Sequence, residues 1–173
     1  HYMNTNNIKI GFIGAGYMGY GMAHNLLKNN YKLSVIAHNN RKPIEKLITE
    51  GATEVKSLDE LGQFNDVIIM CVTNTPVALE VINEILPSLK QGTLVLDITT
   101  HHSTGSIEMN TLLNTKNIKY VESPVMGGPI QAEEGVLGAI VGANDEDFDY
   151  AKKILLSFCK NVFHFGKIGM GAK

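Results

Sequence analysis

The segment from Ile8 to Gly19, IKIGFIGAGYMG, constrains this chain more than any other. An apolar run of strand length meets a G-x-G-x-x-G pattern at Gly14, Gly16 and Gly19, and an amphipathic helix begins at once. Gly14 is expected to permit the tight strand-to-helix turn. Gly16, with no Cβ, lets a pyrophosphate approach the backbone, and Gly19 lets the helix pack close against the strand. The N–H groups at the helix start and the positive end of its dipole then hold the phosphates. A glycine triplet alone is usually only a loop. Set between strand and helix, it predicts dinucleotide binding at Gly14, Ala15, Gly16, Tyr17, Met18 and Gly19.

The rest of the chain alternates strands and helices. Helices are predicted over Tyr17–Asn29, where Met18, Met22 and Leu26 share one face, and over Pro43–Glu50, where Gly51 stops the helix. Ser57 caps a short helix up to Leu61. Further helices are expected over Pro76–Leu86, Ser103–Leu113 and Asp145–Ser157, the last with acids in its first turn, as the dipole favours. Strands are expected over Tyr31–Ala37, Asp66–Val72, Thr93–Ile98, Ile118–Val121, Gly135–Val141 and Asn161–Phe165. Asp66–Val72 is nearly all apolar, as in a strand buried on both faces of a parallel sheet. This rhythm predicts a Rossmann-like, doubly wound α/β fold, its mainly parallel sheet covered by helices on both faces. Residues 8–165 are read as one dinucleotide-binding domain and residues 1–7 as a disordered or tag-derived N-terminus.

Composition narrows the function classes. With 173 residues, 44% of them hydrophobic, the chain can bury a real core. The formal charge is -2 and the 15 basic residues are dispersed, which argues against nucleic acid as a partner. No run approaches the ~20 apolar residues of a membrane span, and the polar start lacks a signal-peptide core. Cys71 and Cys159, in apolar segments, read as reduced core thiols of a cytoplasmic protein. Adjacent His101 and His102 make a poor metal pair, and no metal is expected. Either could still touch a substrate. Asp145, Asp147 and Asp149 read as capping and surface charge.

An acid about twenty residues past such glycines usually binds the ribose 2′-hydroxyl of NAD. None occurs between Gly19 and Glu45. The second strand leads instead into His38, Asn39, Asn40, Arg41 and Lys42. Arg41 can accept a 2′-phosphate and the Asn side chains can donate to it, so NADP is favoured, with NAD possible. The plainer alternative is a solvated basic turn. Val72 and Thr73, where the Asp66–Val72 strand ends, join the expected cofactor set.

Four stretches resemble the β-hydroxyacid dehydrogenases, the 6-phosphogluconate dehydrogenase-like group that includes 3-hydroxyisobutyrate dehydrogenase and tartronate semialdehyde reductase. They are FIGAGYMGYGMAHNL, DITT at Asp97–Thr100, ESPVMGGPIQAEEGVLGAIVG at Glu122–Gly142, and GKIGMGAK at Gly166–Lys173. The resemblance implies hydride transfer between a nicotinamide and a small β-hydroxyacid or semialdehyde. It places Thr99 and Thr100 beside the cofactor and Met126, Gly127 and Gly128 at the substrate carboxylate. Met126 stands where the family has Ser, so a hydroxyl donor is lost. Gly127 and Gly128 can still present N–H groups, and Ser123 is no assured replacement. Met126 can equally be a plain hydrophobic plug.

The family's proton donor is the Lys of G-x-G-x-x-x-K. Gly169 and Gly171 fit the glycines, but Lys173 falls two residues short, so it reads as a neighbour of the catalytic position. No catalytic residue is expected within the chain. The family's helical second domain, which closes the site and forms much of a homo-oligomer, is expected beyond residues 166–173. The chain alone is therefore expected to bind nucleotide without useful turnover. Two rivals are an imine reductase-type enzyme and a non-enzymatic NAD(P)-binding module.

Overall fold

The computed structural model describes residues 7–14, 16–37, 40–101 and 104–166. Strand β1 (Lys9–Gly14) leads into helix α1 (Gly16–Lys28), and the pattern repeats through β2 (Lys32–Ile36), α2 (Arg41–Thr49), β3 (Thr53–Val55), α3 (Leu58–Gln63), β4 (Val67–Cys71), α4 (Thr75–Ile85), β5 (Leu94–Asp97), α5 (Gly105–Asn114) and β6 (Lys119–Glu122). These six strands are all parallel, in the order β3-β2-β1-β4-β5-β6. That order reverses direction between β1 and β4, which opens a crevice at their carboxyl ends.

Alternation along the central strands divides the core between two faces. Ile10, Phe12, Val67, Ile69, Leu94 and Leu96 face one way, into a cluster that includes Met22, Ala23 and Leu26 of α1. Ile13, Ile68, Met70 and Val95 face the other, onto Ala78, Ile82 and Ile85 of α4 and Met109 and Leu113 of α5. Each fully buried Ile or Leu contributes about 1.5–3 kcal/mol of transfer free energy, so the two-sided burial of β4 anchors the sheet between its helix layers. Asn40, Ser57 and Asn74 cap α2, α3 and α4 with side-chain oxygens, and Asn144 caps the helix Asp145–Leu155 in the same way. The Asp145 helix thus starts from an Asn cap, with its acids filling the first turn.

The last part of the chain departs from a single sheet. Strand β7 (Val125–Met126), helix α6 (Pro129–Glu134), strand β8 (Leu137–Val141), helix α7 (Asp145–Leu155) and strand β9 (Cys159–His164) build a second sheet, β7-β8-β9. In it β7 and β8 are antiparallel, and β8 and β9 parallel. An antiparallel bridge between Glu122 and Gly142 links it to the end of β6. The stretch that reads as a Gly-rich loop holds α6, begun by Pro129 and stopped by Gly135 at φ 76°. Strand β8 therefore starts at Leu137 and not at Gly135. Helix α5 starts at Gly105, two residues after its expected start at Ser103, which is outside the described residues. The edge strand β3 has too few residues to show a period.

Candidate functional site

The turn between β1 and α1 divides its demands among the glycines differently from the sequence expectation. Gly16 carries the left-handed conformation, at φ 74°, which an L side chain adopts only at a cost. A Cβ added to Gly16 would meet no heavy atom within 4 Å, so the cradle opens outward. Gly14 does not supply the positive φ. Its constraint is steric, because a Cβ there would lie 2.9 Å from the Phe12 ring and 3.0 Å from the Cys71 carbonyl oxygen. Gly19 behaves as expected, with Phe12 3.3 Å from its would-be Cβ. Tyr17 is exposed, and Met18 leans on the core. A crevice lined by Gly14, Gly16, Gly19, Asn40, Pro43 and Ile44 joins this cradle to the start of α2. Ala15, His38 and Asn39 lie outside the described residues.

At that end of the crevice, the Asn40 side chain accepts from the Lys42 amide at 3.1 Å. Arg41 is exposed but not alone. Its Nη1 donates to Glu54 Oε2 at 2.9 Å and its Nη2 to Oε1 at 3.1 Å, a bidentate pair. The hydrogen bonds and charge of Arg41 hold the Glu54 carboxyl below its usual range. A carboxylate that sequence reasoning did not place beside Arg41 thus comes from β3. It is brought there because β3 pairs with β2, Glu54 opposite Val35.

The loops after β4 and β5 are locked together. The Thr99 hydroxyl accepts from the Val72 amide at 3.1 Å, and Thr99 is buried while Thr73 and Thr100 are exposed. Beneath them lies Asp97, fully buried. Its carboxylate accepts from the Thr99 amide at 3.0 Å, the Tyr120 hydroxyl at 2.6 Å and His101 Nε2 at 2.5 Å. On its other side Nδ1 of His101 shares a hydrogen bond of 2.8 Å with the Thr75 hydroxyl. His101 therefore points into the protein and ties α4 to β5; it does not face a substrate. Burial, with the charge of Asp97 and its hydrogen bond, raises the Tyr120 phenol, and burial together with Asp97 pushes the Cys71 thiol up to about 11. His102 is outside the described residues.

In the next loop Met126 is 56% exposed. The Gly128 amide, expected to face an anion, donates instead to Gln131 Oε1 at 2.8 Å. Ser123 is fully buried, and its hydroxyl finds no hydrogen-bond partner among the described residues. It cannot stand in for the missing loop hydroxyl. Helix α6 then lies along α1, where Asn25 Nδ2 donates to the carbonyls of Ala132 at 2.8 Å and Glu133 at 2.9 Å. Gly169, Gly171 and Lys173 lie outside the described residues.

A hollow of about 700 Å3, lined by Asp66, Lys90, Thr93, Lys119 and Asp147 among others, opens at the opposite ends of β4 and β5. Ligands of such sheets collect at the carboxyl ends of the strands, so the crevice and not this wider hollow is the candidate site.

Residues 9–166 match the family model described as the NAD binding domain of 6-phosphogluconate dehydrogenase. The chain belongs to that family. This NAD-binding domain is 31% identical over 171 residues to 2-(hydroxymethyl)glutarate dehydrogenase of Eubacterium barkeri, covering 95% of the chain and 56% of that protein. It is 29% identical over 168 residues to 2-hydroxy-3-oxopropionate reductase of Escherichia coli, covering 95% and 56%. Among solved structures it superposes on Mycobacterium tuberculosis 3-hydroxyisobutyrate dehydrogenase with a TM-score of 0.90 at 23% identity, covering 95% of the chain and 56% of that one. Imine reductases share the fold, at 13% to 20% identity. The NAD-binding domain thus spans about half the length of the relatives it matches, and the resemblance to hydroxyacid dehydrogenases holds. Among the described residues no helix is long and apolar enough to cross a membrane.

Proposed function

We propose that the chain is the cofactor half of an oxidoreductase that acts on small β-hydroxyacids or their semialdehydes. The observation that carries this reading is the cradle at Gly16, a left-handed glycine at a helix start with open space where a side chain would stand. An anion fits there against the N-terminal amides of α1, from Gly16 through Tyr17 and Met18 to Gly19. The donor set fits the rest of a nicotinamide dinucleotide. The adenosine end falls to His38, Asn39, Asn40 and Arg41, with NADP favoured through Arg41 and NAD also accepted. The nicotinamide end falls to Val72, Thr73, Thr99 and Thr100. When bound, the nicotinamide supplies or accepts the hydride.

The chain's own residues bind and orient. The Thr99–Val72 hydrogen bond holds two loops at the carboxyl edge, and the buried Asp97 network keeps Thr99 in place. Met126, Gly127 and Gly128 line the substrate side, where Met126 offers an apolar contact in place of a hydroxyl. Reduction of a carbonyl also needs an acid for the developing alkoxide. We assign that acid, and the closure of the cleft, to the half of the protein represented in the relatives and not in this chain. Residues 166–173 begin the connection to it, and that half carries the homo-oligomer contacts. The enzyme works in the cytoplasm.

Calorimetric titration with NADPH and NADH tests the binding. NADPH oxidation with tartronate, succinate and methylmalonate semialdehydes, on this chain and on a longer protein that carries both halves, tests the activity. The expected result is binding by both and turnover only by the longer protein. Robust turnover by this chain that Lys173→Ala abolishes would make Lys173 the acid. Failure of the chain to bind either nucleotide would overturn the reading.

A further inference from the structure

Arg41 meets two claims on its guanidinium. Its backbone is set by the Asn40 cap at the first residue of α2, and its side chain lies across to β3, where both terminal nitrogens bond Glu54. The Glu54 side chain is 28% exposed and that of Arg41 53%, so the carboxylate is the more sheltered partner while the guanidinium keeps a solvent-facing side. Charges of both signs flank the pair: Glu45 acts on Arg41 and Lys56 on Glu54.

We infer that Glu54 is a specificity-determining residue: by holding Arg41 in a bidentate pair it limits how strongly a 2′-phosphate is preferred over a 2′-hydroxyl. This rests on the dinucleotide reading above. A guanidinium has a fixed fork of donors, and two parallel bonds to one carboxylate occupy its best bidentate edge. A 2′-phosphate must either displace Glu54 or share Arg41 from the remaining edge, and in both cases a carboxylate stands near a dianion. A 2′-hydroxyl carries no charge, needs no guanidinium and is not repelled. Cofactor choice is a difference between two affinities, and Glu54 weighs on only one of them. The pair is exposed, so its weight is modest.

The test measures Kd for NADPH and NADH by calorimetry on the wild type, Glu54→Gln, Glu54→Asp, Arg41→Ala and the Arg41→Ala/Glu54→Gln double variant. Glu54→Gln should tighten NADPH by about three- to fivefold, the scale of one exposed ion pair written as a binding ratio, and leave NADH unchanged. Glu54→Asp keeps the charge but shortens the reach, and should fall between Gln and wild type. In the Arg41→Ala background Glu54→Gln should tighten NADPH by clearly less than in the wild type, because only the direct repulsion of the phosphate is then relieved. A shift of both cofactors together would mean that the pair only clamps α2 to β3, and would overturn the inference. So would weaker NADPH binding by Glu54→Gln, which would mean that Glu54 presents Arg41 to the phosphate. If the wild type binds both nucleotides and the ratio stays fixed in every Glu54 variant, the inference alone fails. If the wild type binds neither, the dinucleotide reading fails with it.

Discussion

Gly21→Ala should loosen the joint between α1 and α6 and destabilise the protein. A Cβ at this position would lie 2.5 Å from the Glu133 amide nitrogen, 2.8 Å from the Ala132 carbonyl carbon and 2.9 Å from the Ala132 Cβ. Carbon–carbon contacts are optimal near ~3.5–4.0 Å, so α6 must retreat by about 1 Å. Two of the three obstructing atoms are backbone, and no side-chain rotation relieves them. The retreat also stretches the bonds from Asn25 to the carbonyls of Ala132 and Glu133. Overpacking of this kind costs about 1–3 kcal/mol. Weakening a side chain–backbone hydrogen bond adds about 1 kcal/mol, and the better helix propensity of Ala returns about the same. The net expectation is a loss of about 1–3 kcal/mol. Urea unfolding followed by far-UV circular dichroism reads it directly. With a slope of ~2 kcal/mol/M, the midpoint should fall by about 0.5–1.5 M at unchanged slope. Because α6 follows Met126–Gly128 directly, the same variant should speed hydrogen exchange in that loop. An unchanged or higher midpoint would refute the close approach of the two helices.

Three further outcomes are expected. Gly16→Ala should cost about 1–2 kcal/mol for the left-handed backbone, with no clash, yet weaken dinucleotide binding by at least about tenfold, the loss of a charge-assisted hydrogen bond. A calorimetric titration that finds binding intact would separate the cradle from the ligand. Burial alone would raise the Glu50 carboxyl, but hydrogen bonds from His24 and Tyr20 and the charges of His24 and Lys46 outweigh it and hold its pKa below the usual range. Its contribution is therefore present above the unfolded-state pKa of about 4.3 and is lost as pH falls through the lower folded value; Glu50→Gln should flatten that acid-side decline in melting temperature, and a parallel decline would count against the pairing. Burial pushes the Cys159 thiol up to about 12, and burial with Asp97 pushes Cys71 up to about 11, so both should react slowly with a disulfide reagent at pH 8 until urea is added. Rapid native-state labelling would contradict their settings.

What was legible in the sequence follows from how local each determinant is. The β1–α1 turn and the apolar β4 and β5 are written in contiguous residues, so their existence and their place at the crevice could be read directly. The division of labour between Gly14 and Gly16 could not, because it depends on where the Cys71 carbonyl stands on the neighbouring strand. His101 reads as a loop histidine. Only the pairing of β5 with β6 brings Tyr120 beside Asp97 and makes a buried carboxylate that turns His101 inward. Helix α6 was hidden by its flanking glycines, though Pro129 at its start and Gly135 after its end are the usual signals of a short helix.

Glu54 shows how such non-local pairing reaches the chemistry. Counting residues from the glycines finds the end of β2 and its basic turn, but stops short of β3. A carboxylate in the usual acidic position would come from β2 itself and face the ribose. Here β3 runs parallel beside β2 and sets Glu54 level with Val35, so a carboxylate from the next strand meets Arg41. Absence of an acid in the expected stretch is thus not absence of an acid beside Arg41. A bare Arg41 predicts a strong preference for the 2′-phosphate, whereas a paired Arg41 predicts a moderate one with NADH retained. The ratio of the two affinities, and its response to removal of the Glu54 charge, distinguishes these cases at a single pH and salt concentration.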